Sequence, residues 1–337
     1  MKLKEVISRY PKLNFIQRCI RRAGDKAFVA EVLEIGKNPL NIKIYRMGDK
    51  NPGKLVYIAQ TMGCDGFFAE LRFILAELFF ADEFGFIPVV QMPKNSFYAE
   101  KNEINGTTNP FEYYFEPVSE ISVEDAYKSS AVVEHNWYQR NYMHQVLDMN
   151  SGYLPSEEYM VEAAKLVKKY IHLNCIVKMQ VKESIDSVLG NCKTIGVHVR
   201  GADFKRHYKN HPNIVTIQEY IDATEEAMRE QSFERIFLAT DDMEALEQFK
   251  ERFGDKVVFY EDVIRTKDDE TVMKSEVERD NHHYKLGLEV IRDVYTLSAC
   301  DGIIAGLSNV SIFARIVKKS FGKDYSYKNY INKGVKK

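Results

Sequence analysis

The sequence lacks most of the signals that identify a chain at sight. No two of its five cysteines, Cys19, Cys64, Cys175, Cys192 and Cys300, form a C-x-x-C pair. Disulfide frameworks and zinc knuckles are therefore excluded, and scattered buried thiols in a reducing compartment are expected. No run approaches the roughly 18 apolar residues of a membrane span. The opening MKLKEVISRYPKLNF lacks the apolar core of a signal peptide, so a cytoplasmic location is expected. The net charge is only -2, from 47 Lys and Arg against 49 Asp and Glu, which argues against a nucleic-acid partner. G-x-G-x-x-G, G-x-x-x-x-G-K-[ST], H-E-x-x-H and G-x-S-x-G are all missing. Simple dehydrogenases, P-loop kinases, metalloproteases and serine hydrolases lose their support. D-x-D is missing too, so a metal-dependent site of that kind has no candidate. Neither a metal nor a cofactor is expected.

What remains is an ordinary globular composition of 337 residues, 45% apolar and 28% charged, with 20 Tyr and 20 Phe. Residues 1–26 carry eight Lys and Arg against Glu5 and Asp25. With Ile, Leu and Phe interleaved, such a segment suits peripheral contact with an anionic membrane. A solvated helix is the alternative, favoured by Pro11. Strand-like runs follow at Phe28–Ile35, Ile42–Tyr45 and Leu55–Gln60. The turn TMGCDG then leads into FFAELRFILAELFFADEFG, apolar at helical spacing, and into the strand IPVVQM. Residues 93–155 read as an irregular aromatic insertion, and residues 156–188 as one long helix capped by Ser156.

After a break near residue 190 the pattern alternates regularly. Strands at Thr194–Arg200, Arg235–Ala239, Lys256–Tyr260 and Gly302–Ala305 alternate with helices at Ile217–Glu230, Met243–Phe253, His283–Ser298 and Asn309–Ser320. This predicts a parallel sheet covered on both faces. The expected fold is thus α/β, with two doubly wound halves, residues 1–189 and 190–337.

Three segments carry chemistry at predicted strand ends, where open α/β sheets bind ligands. In IGVHVRGADF, strand alternation puts His198 and Arg200 on one face. Arg200 there suits a phosphate, and Gly201 lets a ligand approach the backbone. An ion pair of Arg200 with Asp203 bracing the turn is the alternative. In LATDD, Thr240 or Asp241 suits a helix cap. In IRDVYTLSACDGIIAGLSNVSIFA, the strand runs into Gly306–Asn309 and opens a helix, whose N-terminus suits an anion. The turn Thr61–Gly66 adds a glycine loop facing the same cleft.

These segments, in this order, resemble the fucosyltransferase superfamily, which includes α1,6-, α1,2- and protein O-fucosyltransferases. The shared H-x-R-x-x-D motif is matched by His198, Arg200 and Asp203. The resemblance implies a GT-B architecture, two Rossmann-like domains facing across a cleft, with GDP-fucose as donor and a glycan as acceptor. It implies that Arg200 holds the β-phosphate and that His198 and Asp293 lie near ribose and guanine. Ser308 and Asn309 would complete the phosphate contacts, Asp241 and Asp242 would form the second segment, and Gly63, Gly66 and Phe67 the opposing loop. Transfer would invert the anomeric configuration without a metal. One departure concerns the family's second arginine, replaced here by Gly201. Another is the stretch FKRHYKNHP, which has no carboxylate to serve as base, leaving His207 or His211 as candidates. Tyr113, Tyr114, Trp137 and Tyr138 of the insertion are candidate sugar-stacking residues, with burial in the core as the alternative. The same fold with another nucleotide sugar, or a silent binding protein, are the competing functions.

Overall fold

The computed structural model describes residues 42–147, 154–201, 211–266 and 279–336, together with Ile20, residues 23–26 and Val29. The basic N-terminus and the strand expected at Phe28–Ile35 fall almost wholly outside the described residues. So do Asp203 and His207.

The N-terminal half is built on a four-stranded sheet. Its strands are β1 (Ile44–Tyr45), β2 (Val56–Gln60), β3 (Ile87–Gln91) and β4 (Val132–Val133), in the order β1-β4-β2-β3. β2 pairs in parallel with β3 and β4, while β1 is antiparallel at the edge. Helix α1 (Phe67–Glu83) links β2 to β3 and is followed by Gly85 at φ +68°. The insertion is more ordered than its polarity suggests. It supplies β4 and the short helices α2 (Val123–Ala126), α3 (Trp137–Arg140) and α4 (Tyr142–Val146).

The expected long helix is two helices, α5 (Glu157–Tyr170) and α6 (Cys175–Leu189). Ser156 caps the first as expected. The break comes from Asn174, whose Oδ1 accepts the amide of Val177 and starts α6. Its Nδ2 donates back to the carbonyl of Tyr113 at 3.0 Å, tying the break to the insertion. Gly190, at φ +53°, ends α6.

The C-terminal half is a parallel five-stranded sheet, β5 (Thr194–Val199), β6 (Arg235–Thr240), β7 (Val257–Val258), β8 (Gly302–Gly306) and β9 (Tyr327–Ile331). Its spatial order is β7-β6-β5-β8-β9, and β9 was not anticipated. Helices α7 (Ile217–Gln231) and α8 (Met243–Phe253) cover one face, packing on Ile195, Val197, Ile236 and Ile304. Helices α9 (His282–Ala299) and α10 (Asn309–Ser320) cover the other face and are shared with the N-terminal half. The largest hydrophobic cluster runs continuously from α1 and α5 through Phe313, Ile316, Ile291 and Leu297. Phe68 of α1 and Phe313 of α10 sit with ring centroids 4.7 Å apart.

Three expectations are corrected by burial. Tyr113 and Tyr114 are fully buried in this shared core; the Tyr114 hydroxyl donates to the Tyr284 carbonyl of α9 at 2.9 Å. They are packing residues, with no ring face open to a sugar. Of the described cysteines only Cys300 is buried, whereas Cys64 and Cys175 are exposed. Among the described residues no helix is long and apolar enough to cross a membrane.

The α9 backbone passes so close to Tyr114 that a Cβ at Gly287 would meet the phenol ring, its Cζ at 2.5 Å. Gly287→Ala is expected to cost about 1–3 kcal/mol through overpacking, read as a lower urea midpoint. An unchanged midpoint would contradict this packing.

Candidate functional site

In the C-terminal sheet the chain steps from β5 to β6 and β7 on one side, and from β8 to β9 on the other. The order reverses between β5 and β8, and ligands of such sheets bind beyond the strand ends at this point. His198–Gly201 leave β5 here, and Gly306–Asn309 leave β8, with His198 opposite Ala305 in the register.

His198 is buried at 6% exposure. Its Nδ1 lies 3.2 Å from the Ala239 carbonyl. A carbonyl only accepts, so Nδ1 carries the proton. Burial, reinforced by the Arg200 charge, holds the ring pKa down to about 3, so the imidazole is neutral near pH 7 and Nε2 is an acceptor. Among the described residues that atom has no hydrogen-bond partner, and a buried acceptor left open at a strand end calls for a donor from water or a ligand.

The Arg200 backbone is tied to the end of β8 by Tyr220 of α7. The buried Tyr220 hydroxyl, pushed up to about 12 by burial, sits on the amides of Gly306 and Arg200 and so ties the ends of β5 and β8 together. A Cβ at Gly306 would strike that hydroxyl. The Arg200 charge reaches the N-terminal half as well: it counters the rise that burial imposes on the ionisation of Tyr98. Tyr98 in turn accepts the Phe67 amide at 2.7 Å. A cavity of about 210 Å³ opens between the strand ends and the start of α7, lined by Val199, Gly201, Pro212, Ile214, Tyr220 and Leu307.

Ser308 caps α10, its Oγ accepting the Ser311 amide at 3.1 Å. Asn309, the first residue of α10, accepts from Arg72 of α1 at 2.5 Å. Asp242 caps α8 through the amides of Glu244 and Ala245. Its carboxylate is therefore committed to that helix. Asp241 stands against Gly201, so closely that a Cβ at Gly201 would meet its carboxylate.

Asp293 lies with Arg265, Arg292, Glu289 and Asp241 around it. Burial raises its pKa to about 7 despite the two arginines. Arg292 is bound in bidentate fashion by Asp262, at 2.6 and 2.9 Å.

On the opposing wall, Gly63 is held at φ +73°, where a side chain would also collide with Pro93 and Ser96. The loop is braced by the buried Glu70, whose Oε1 accepts the amides of Cys64 and Asp65 at 3.1 Å each. Gly66 caps α1 without a side chain. Phe67 is corrected: its ring is buried against Tyr98, Tyr114 and Phe115, so it shapes the loop from below and offers no face to a ligand. His211 is half-buried and its carbonyl accepts the Lys336 amide at 2.7 Å. The side chains of Trp137 and Tyr138 lie outside the described residues.

The structure thus places His198, Arg200, Asp241, Ser308 and Asn309 at or just beyond the carboxyl ends of β5, β6 and β8, with Asp293 of α9 near Asp241. Two arginines were missed, Arg265 and Arg72. Arg72 had a visible signal: with Glu70 and Glu77 it is one of three charges inside a helix otherwise apolar nearly to its end.

No protein-family model matches the sequence, and no curated protein matches it. Solved structures do resemble it. The NodZ alpha-1,6-fucosyltransferase soaked with GDP-fucose matches at a TM-score of 0.48 and 17% identity, over 78% of this chain and 92% of that one. Fucosyltransferase NodZ from Bradyrhizobium matches at 0.48 and 16%, over 78% and 93%. POFUT1 in complex with GDP matches at 0.49 and 12%, over 83% and 99%. At these identities and TM-scores the likeness assigns no activity to this chain.

A buried carboxyl titrating near 7 costs stability once ionised. In the unfolded chain the same group titrates near its ordinary value of 3.8, so stability is lost as pH rises between 3.8 and about 7. Asp293→Asn is expected to raise the urea midpoint over wild type at pH 8 and by much less at pH 5. An equal gain at both pH values would contradict the assigned titration.

Proposed function

We propose that the chain is an inverting, metal-independent fucosyltransferase, transferring fucose from GDP-fucose to a glycan hydroxyl in surface-polysaccharide or glycan assembly. The observation that carries this reading is that Arg200 and the N-terminus of α10 lie beyond the ends of the adjacent strands β5 and β8, at the reversal point of a parallel sheet. A strand-end guanidinium and helix amides together suit a diphosphate. The open Nε2 of His198 suits a ribose hydroxyl or base N–H, and the ionised Asp293 carboxylate suits the paired N–H donors of guanine. The choice of GDP-fucose within this class is supported by the resemblance of the His198–Asp203 segment.

The chemistry follows from that placement. As the bond from the fucose anomeric carbon to the β-phosphate oxygen breaks, negative charge grows on the departing GDP. The α10 N-terminus is held by its Ser308 cap before the reaction begins, and with Arg200 it would stabilise that charge. The acceptor hydroxyl attacks the opposite face of the anomeric carbon, inverting β to α, and loses its proton to a base. His211 is the described candidate for that base. The side chains of Cys64, Asp65 and Glu70 converge on the opposing loop, and Glu70 there is committed to the loop amides. Metal independence is thus a separate point for experiment.

Donor turnover, followed as GDP release in the presence of EDTA, is expected with GDP-fucose and not with UDP-sugars. Arg200→Ala should lower it at least tenfold, since a charge-assisted contact of about 1.5–3 kcal/mol is lost in the transition state. Turnover of UDP-sugars alone would keep the fold and discard fucose. Unchanged turnover in Arg200→Ala would remove the site assignment.

A further inference from the structure

We propose that Arg72, carried by the N-terminal half, is a second cation of the diphosphate subsite and closes it from the opposite wall. This role rests on the donor reading above and deepens it. Arg72 lies in the second turn of α1 and is 8% exposed. Its Nη1 donates to Asn309 Oδ1 at 2.5 Å, which places the guanidinium at the N-terminus of α10. Packing fixes it there as well as that bond. One turn earlier on α1, Phe68 meets Phe313, which lies one turn later on α10, so the two helices run side by side in opposite directions. Tyr159 of α5 supports the guanidinium from below, with Arg72 Cζ 5.7 Å from its ring centroid.

Two features make an anion the fitting occupant. A helix N-terminus is the positive end of its dipole, and a guanidinium held against it raises the local positive potential further. The same strand ends also present the buried Nε2 of His198, which has no hydrogen-bond partner among the described residues, opposite Ala305 of the strand that leads into α10. That open acceptor is independent of Arg72 and marks the edge as a place where a ligand completes the structure.

The sequence around Arg200 supplies the reason for a cation from elsewhere. The position after Arg200 is Gly201, and a Cβ there would collide with the Asp241 carboxylate. The strand end therefore has no room for a second side chain beside Arg200. The Arg72 guanidinium at the α10 N-terminus supplies a second cation, and its planar fork can address two phosphate oxygens at once, which an ammonium cannot. Donor binding would then add a phosphate-mediated contact to the packing that already joins the two halves.

The test is calorimetric titration of GDP, GMP and guanosine into wild type and Arg72→Gln, with UDP in parallel. A phosphate contact predicts that Arg72→Gln weakens GDP at least tenfold, weakens GMP less and leaves guanosine unchanged. Arg72→Lys keeps the charge and the stem but loses the fork. It should show the same ordering with smaller losses, and it serves if Arg72→Gln does not fold. GDP binding unchanged in Arg72→Gln, or equal losses for all three ligands, would make Arg72 a brace between helices and overturn this role alone. A wild type that binds neither GDP nor UDP would overturn the donor reading and this role with it.

Discussion

Helix α1 is enclosed by the protein, and that constraint organises the molecule. Twelve of its 17 residues are buried, including Glu70, Arg72 and Glu77. Buried charges must be partnered or they unfold their surroundings. Glu70 meets this demand by gathering the amides of the Cys64–Asp65 loop. Glu77 accepts the Gln60 amide at 2.9 Å and holds His135 at 3.0 Å. Arg72 reaches Asn309 in the other half. The partners that keep α1 folded are thus the groups that shape one wall of the cleft and its contact with α10.

The floor of the cleft follows a second rule. At a strand end the helix caps, strand ties and ligand contacts compete for the same small set of polar groups. Ser308 and Asp242 are committed to caps, and Tyr220 to the strand amides. His198 Nε2 is left open. Capping holds the α10 N-terminus in place, and anion binding uses what the cap leaves, so the two roles coexist at Ser308–Asn309.

Much of the C-terminal half was legible in the sequence because its central strands β5, β6 and β8 are buried on both faces and the helices are amphipathic. Helix Met243–Phe253 was placed to the residue, and the strand ends holding His198, Arg200 and Gly306 to within one or two. Short or edge elements were not. β9 reads as polar and aromatic, YKNYI, and gains strand form only from pairing with β8. The split of α5 from α6 depends on Asn174 acting as a cap inside an apolar pattern. Tyr113 and Tyr114 look like sugar-stacking residues in a list of aromatics, and only the docking of the insertion on α9 makes them core. The motif residues were visible as a strand end. The contributions of Arg72 and Arg265 arise from segments distant in sequence, which no local pattern records.

The central claim is that the sheet edge at Arg200 and α10 is a guanine-diphosphate site. The most direct measurement is a thermal-shift titration of the purified chain with GDP, GDP-fucose, GDP-mannose, UDP and UDP-sugars, each with and without EDTA. A ligand at about 100 times its dissociation constant adds about 2.7 kcal/mol to the folded state. The account predicts stabilisation by GDP and GDP-fucose that survives EDTA. The absence of any shift with every nucleotide would contradict it.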